Sequence, residues 1–189
     1  MSTFPNTYSE LVRVNAPDLE AKGYEVWSGL TPEYADQITA MTHEPAILEY
    51  CPNDSGSRFT DHAATERWLA KQRGAFLLIK ADDKSLAGYG WVGSETCAWI
   101  PEGQTTFALR MSQHHQGLGL ATPFSASIIT GARELYGAEH IWLETWQSNA
   151  GAVHIYGKLG FQQVHAELGD RPTADGQRLA DTRLYMSLV

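Results

Sequence analysis

The chain has 189 residues, 43% of them hydrophobic and 19% charged, with a formal net charge of −8. That length suits one domain with a proper core, and the composition argues against wholesale disorder. The negative balance excludes nucleic acid as an expected partner and is compatible with a cationic or amine substrate. Cys51 and Cys97 form no C-x-x-C pair and suit a reducing compartment. The first 20 residues are polar and do not read as a secretory signal, and no apolar run reaches the roughly 18 residues that a membrane helix needs. A cytoplasmic protein with no membrane partner is therefore expected; whether it forms a homodimer is left open.

Residues 1–21 carry little pattern and are expected to form a loosely attached arm, with one domain over 22–189. "GYEVWSGL" (23–30) reads as a first strand. "TPEYADQITAMTH" (31–43) follows with helix-start residues: Thr31 as cap, Pro32 at the first helical position and Glu33 complementing the dipole. "YCPNDSGSRFTD" is a loop rich in turn formers, and Asp61 caps a helix over about 62–72. Three strands joined by short turns come next, at 75–81, 85–100 and from Thr105 to about Ser112. Short turns imply an antiparallel meander. A glycine turn, a helix ending near Tyr136 and a strand over 140–146 make a β-α-β crossover. A short helix over about 150–159, a strand opening at Phe161, a polar loop "GDRPTADGQRLA" and a last strand "DTRLYMSLV" complete the chain. The expected class is α+β (mixed α/β): a central, mostly antiparallel sheet with one parallel crossover, flanked by helices.

The glycine turn is "HHQGLGLATPF", residues 114–124. A helix begins with backbone N–H groups that lack intrahelical partners, and its dipole favours an anion there. Gly117 and Gly119 permit positive φ and close approach of a ligand. Amides from about Gln116 through Gly117, Leu118, Gly119 and Leu120 to Ala121 can converge on one point, and Thr122 can add a hydroxyl. No Lys follows as a P-loop requires, and Thr122 occupies the third glycine position of a dinucleotide fingerprint. Glu144 lies where such a fingerprint has its acid, which keeps a nicotinamide or flavin reading open. The antiparallel meander upstream argues against it.

The second informative stretch is "WLETWQSNAGAVHIYGKLGF" (142–161). Asn149 stands at a strand-to-helix break as the natural N-cap, and Tyr156 comes two turns later on the same side. Together, His114-His-Gln-Gly117-Leu-Gly119-Leu-Ala121 and Asn149, Ala152, Tyr156, Gly160 and Phe161 resemble the two signature segments of the GCN5-related N-acetyltransferase (GNAT) family. The first resembles that family's R/Q-x-x-G-x-G/A pyrophosphate loop, with His114 where Arg or Gln is usual. The second is most similar to the branch that acetylates the N-termini of ribosomal proteins. The resemblance covers about residues 22–189, with the specific motifs inside 105–161.

The resemblance implies acyl transfer from acetyl-CoA, as cosubstrate, to an amine acceptor. It implies Tyr156 as the acid at the departing sulfur and Glu144 as the base. It implies a carbonyl site on the backbone near Leu109, Arg110 and Met111, where the family's strand splays, and the loop from His114 to Thr122, with Asn149, as the cofactor side. Glu95 is the rival base. The alternative of another class is a non-catalytic acyl-CoA-binding module with the same fold. No H-E-x-x-H occurs and the seven histidines are scattered, so no metal is expected. His114 and His115 suit the phosphate loop better than acid–base work. The six tryptophans are expected in the core and at its rim.

Overall fold

The computed structural model describes residues 4–188. Eight strands form one sheet: β1 (Val12–Val14), β2 (Tyr24–Ser28), β3 (Arg73–Lys80), β4 (Leu86–Ser94), β5 (Thr105–Met111), β6 (Ile141–Trp146), β7 (Gln162–Pro172) and β8 (Arg178–Leu188). Their spatial order is β1-β2-β3-β4-β5-β6-β8-β7. Every neighbouring pair is antiparallel except β5 and β6, which the long helix α5 (Ala121–Tyr136) joins as a parallel crossover. The expected class and its single crossover are what the structure has.

Helices cover both faces. α2 (Pro32–Met41) and α4 (His62–Leu69) pack on one face, where Tyr34, Ile38, Trp68 and Leu69 meet Leu77, Tyr89 and Trp91. α5 and α6 (Ala150–Lys158) pack on the other, where Phe124, Ile128 and Tyr156 meet Phe76, Val92, Phe107 and Phe161. The expected caps hold: Thr31 accepts from the Tyr34 N–H at 3.4 Å, Asp61 from Ala64 at 2.7 Å and Asn149 from Ala152 at 3.2 Å.

Three readings are corrected. The first 21 residues are not a loose arm throughout, because β1 pairs with β2 and the one-turn helix α1 (Pro17–Glu20) buries Leu19 in the main core. The expected strand over 85–100 stops at Ser94. Beyond it Cys97 and Ile100 bridge to each other and bury against Trp142 and Tyr185 in a separate small cluster. The polar segment 169–180 is mostly strand: β7 and β8 pair out to Pro172 and Arg178 around a turn at 173–177. Most of that arm is exposed, so its residues show no apolar alternation. The one-turn helix α3 (Pro45–Leu48) had no sequence expectation, and one turn of π-helix at Asp54–Arg58 stands inside the segment read as a loop.

Candidate active site

The parallel pairing of β5 and β6 is short. Thr105 lies against Ile141 and Thr106 against Trp142, and there the ladder ends. β5 continues along β4 to Met111 while β6 continues along β8 to Trp146. The two strands part, and the edge of β5 beyond Thr106 faces a wedge. This is the splay expected near Leu109, Arg110 and Met111. A cleft of about 1310 Å³ runs through it, more than a single drug-sized ligand needs.

At one end of the cleft lies the glycine turn. Gly117 has φ +74° and Gly119 φ +67°, a conformation that L side chains rarely adopt. None of the backbone N–H groups of residues 116–122 donates to an acceptor among the described residues. Leu120 caps α5 without a side-chain bond, so the first helical amides stay free for a ligand. The turn is braced from outside. Gln116 Nε2 donates to the Met111 carbonyl at 3.3 Å. Glu44 accepts from Ser112 Oγ at 2.9 Å and from the Gln113 N–H at 2.6 Å. Lys22 Nζ donates to the Leu118 and Gly119 carbonyls at 3.4 and 3.3 Å, which adds a cation to the turn. These features fit a pyrophosphate.

Gln116, Gly117, Gly119, Leu120, Ala121 and Thr122 line the cleft, as do Leu109, Arg110, Met111, Glu144, Asn149 and Tyr156. Two expected positions do not. Leu118 is half-exposed, and His114 lies exposed on the short 3₁₀ turn Gln113–His115. His115 lines the cleft in its place. Burial, then the neighbouring His114, lowers the His115 pKa and favours the neutral ring, and its buried Nδ1 has no partner among the described residues.

Side-chain alternation sorts the rest. Register places Arg73, Trp91, Thr106, Arg110, Trp142, Glu144 and Arg183 on the α2/α4 face. Tyr156 belongs to the opposite face. Its ring meets Phe107 at 6.0 Å and Phe161 at 5.8 Å. Burial pushes its pKa up to about 12, against the lowering influence of Arg110 and with a smaller rise from Cys51. Tyr156 lines the same cleft as Arg110 and Cys51, which belong to the other side of the sheet. The Tyr156 hydroxyl is protonated across the ordinary working range.

Glu144 is half-exposed and two residues past the last β5–β6 pair, at the mouth of the wedge; Arg183 Nη1 donates to it at 3.4 Å. Glu95 is held differently. It pairs with Arg73 at 2.7 Å, and its own carbonyl accepts from Trp142 Nε1 at 2.8 Å, level with the start of β5. Both carboxylates line the cleft, Glu144 on β6 past the last β5–β6 pair and Glu95 level with the start of β5.

A buried cluster under the same platform had no sequence signal beyond turn-forming residues. Asp54 is fully buried and accepts from Arg58 Nη1 at 2.9 Å, Arg110 Nε at 2.9 Å and Tyr89 Oη at 2.8 Å. Burial works against the Arg110 charge, but Asp54, Cys51 and Tyr89 outweigh it and raise its pKa. Both guanidinium groups lie over Trp91, at 5.3 Å for Arg58 and 4.8 Å for Arg110.

Asn149→Ala tests how far α6 depends on its cap. It should cost about 0.5–2 kcal/mol in denaturant unfolding, through the loss of one satisfied helix donor. The checking measurement is the midpoint at unchanged m-value.

Comparison with known proteins places the chain in a family. Residues 28–162 match the family model described as the acetyltransferase (GNAT) domain. Streptothricin acetyltransferase of Streptomyces lavendulae is 33% identical over 147 residues, 77% of this chain and 71% of that protein. An N-alpha-acetyltransferase of Sulfurisphaera tokodaii is 32% identical over 57 residues, 30% of this chain and 34% of that protein. Among solved structures, ribosomal-protein-S5-alanine acetyltransferase from Vibrio fischeri superposes with a TM-score of 0.71 at 11% identity, covering 96% of this chain and 97% of that one. Spermidine N-acetyltransferase from Vibrio cholerae, in complex with CoA and spermine, also reaches 0.71, at 17% identity over 88% of this chain and 95% of that one. A family match over most of the chain and a relative alike over three quarters of it lead to one conclusion: the chain belongs to the GNAT family of acetyltransferases.

Proposed function

We propose that this chain is an acetyl-CoA-dependent N-acetyltransferase that acts on a primary amine, in the cytoplasm. The observation that carries the reading is the row of unpaired amides at 116–122, opening onto the cleft that Tyr156 and Glu144 also line. The relatives' names support acyl transfer to nitrogen: two of them are a spermidine N-acetyltransferase and an N-alpha-acetyltransferase.

Bound acetyl-CoA would supply the activated acyl group, as a thioester. The chain's own residues do the rest. The 116–122 amides and Lys22 hold negative charge at the start of α5. Glu144 takes a proton from the acceptor ammonium, which must be neutral to attack. The free edge of β5 offers backbone donors to developing oxyanion charge. Tyr156 holds a proton at its hydroxyl, available to the leaving sulfur. The rival reading, a non-catalytic acyl-CoA-binding module, lacks a use for Tyr156 and Glu144 together in the wedge. A thiol-release assay with acetyl-CoA across an amine panel decides between the two.

The cofactor assignment makes its own prediction. CoA should raise the melting temperature by mass action, and NAD should not. A shift with NAD alone refutes it. Gly119→Asp should weaken CoA by roughly 10–10²-fold, because a carboxylate close to phosphate repels it at an effective dielectric of about 20. The new side chain also meets a strained φ of +67° and the Lys22 ammonium, 3.4 Å from the added Cβ. CoA titration of the variant reads the loss directly.

A further inference from the structure

The charge of the cleft opposes that of the chain. The protein carries −8 overall, yet basic side chains outnumber acidic ones along the cleft wall. Pairing sharpens the contrast. Arg73 is matched by Glu95 and Arg183 by Glu144. Arg58 and Arg110 share the single carboxylate of Asp54. Arg67 and Lys71 also line the cleft and have no carboxylate partner among the described residues; only Glu49 stands against them.

This surplus is not needed by the phosphate cradle. Lys71 lies just before β3, whose first residue Arg73 is registered through Gly93 on Thr106. Thr106 lies five residues back from Met111, about 16 Å of strand away from the glycine turn. Arg58 stands over Trp91, which pairs with Ala108. The excess cations therefore belong to the acceptor half of the cleft.

Arg58 is built for a planar anion. The π-helical turn brings it back onto its own Asp54, where one nitrogen is fixed at 2.9 Å. The guanidinium lies 5.3 Å from the Trp91 ring centroid, and the side chain lines the cleft and remains 37% exposed, which leaves N–H groups beyond the one on Asp54 open to a ligand. A fixed, partly used guanidinium binds a carboxylate with little further ordering. We propose that the acceptor amine carries a carboxylate, which docks on Arg58 with Arg67 and Lys71 at the rim, and that polycationic amines are disfavoured. The proposal rests on the N-acetyltransferase reading and narrows it. A free amino acid and an acidic peptide present the same chemistry.

The test is acceptor binding to the full chain saturated with CoA, read by titration calorimetry in matched pairs. Glutamate is compared with its dicarboxamide, the C-terminally amidated dipeptide Ala-Asp with the C-terminally amidated Ala-Asn, and spermidine is the polycation. At least one carboxylate should bind roughly 10-fold or more tightly than its amide, as loss of a charge-assisted bond predicts. The preference should shrink as salt rises from low to about 0.5 M. Glutamate preference over Ala-Asp identifies a free amino acid, and the reverse an acidic peptide. Arg58→Gln should erase the preference and leave CoA affinity unchanged, while Arg58→Lys keeps part of it. The salt series on the unaltered protein stands even if Arg58→Gln folds poorly. Equal binding of acids and amides, tighter binding of spermidine, or no binding by any carboxylate overturns the proposal. Tight binding of a carboxylate without thiol release overturns the enzymatic reading instead.

Discussion

Glu144→Gln should lower kcat/KM by roughly 10²–10⁴ while leaving the fold and CoA binding intact. The reason is specific to the geometry. The Arg183 guanidinium donates to Glu144 at 3.4 Å, and a Gln amide oxygen can accept the same bond. The substitution removes the proton acceptor without removing its place. If Glu144 takes the ammonium proton, the acidic limb of the pH–rate profile should be lost with it. KM for acetyl-CoA should stay near its original value, because Glu144 belongs to the α2/α4 face and not to the glycine turn. An active variant with the acidic limb intact would transfer the role to Glu95 or to solvent. Glu95→Gln is the matching control. It likewise keeps an acceptor for Arg73, removes only the charge of the 2.7 Å pair, and should leave turnover near its original value.

What the sequence disclosed was local. The glycine turn was legible because a strand, two positive-φ glycines and a helix start lie within a dozen residues. Asn149 and Tyr156 were legible because a cap and a side chain two turns later sit on one helix. The caps at Thr31 and Asp61 obey the same short-range rule. What stayed hidden depends on distance or on weak pattern. β1 is three residues long, too short for alternation to register, and its burial is fixed by β2 and α5. Lys22 reaches the glycine turn from 97 residues away. Asp54 looked like one more polar residue in a turn-rich loop, yet it is the fully buried anchor of two arginines. The acidic overall charge was compatible with a cationic or amine acceptor and said nothing of the cleft wall, where basic side chains, Arg58 and Arg110 over Trp91 among them, outnumber acidic ones. His114 matched the motif by position, but the 3₁₀ turn hands the cleft to His115.

Tyr156→Phe should lose turnover by roughly 10²–10⁴ at pH 7 if the hydroxyl protonates the leaving sulfur. The loss should shrink as pH rises, and the sign follows from two proton affinities. A thiol of pKa about 8.5 leaves readily as thiolate near pH 9 and above, so it needs a donor most at low pH. The donor must still hold its proton there, and burial keeps the Tyr156 hydroxyl protonated up to about 12. The unaltered protein should therefore show no falling limb from Tyr156 between pH 6 and 9.5. The variant should gain on it across that range. Affinity for acetyl-CoA should change little, because the ring packs against Phe107 and Phe161 and the variant keeps the ring. A purely structural Tyr156 predicts something else: Phe fits the same space, with loss under about 1.5 kcal/mol and no dependence on pH. Single-turnover rates and acetyl-CoA Kd for this one variant, taken across pH 6 to 9.5, separate the two. A near-original rate at pH 7 would remove the hydroxyl from the mechanism and leave the wedge to Glu144 and the backbone of β5.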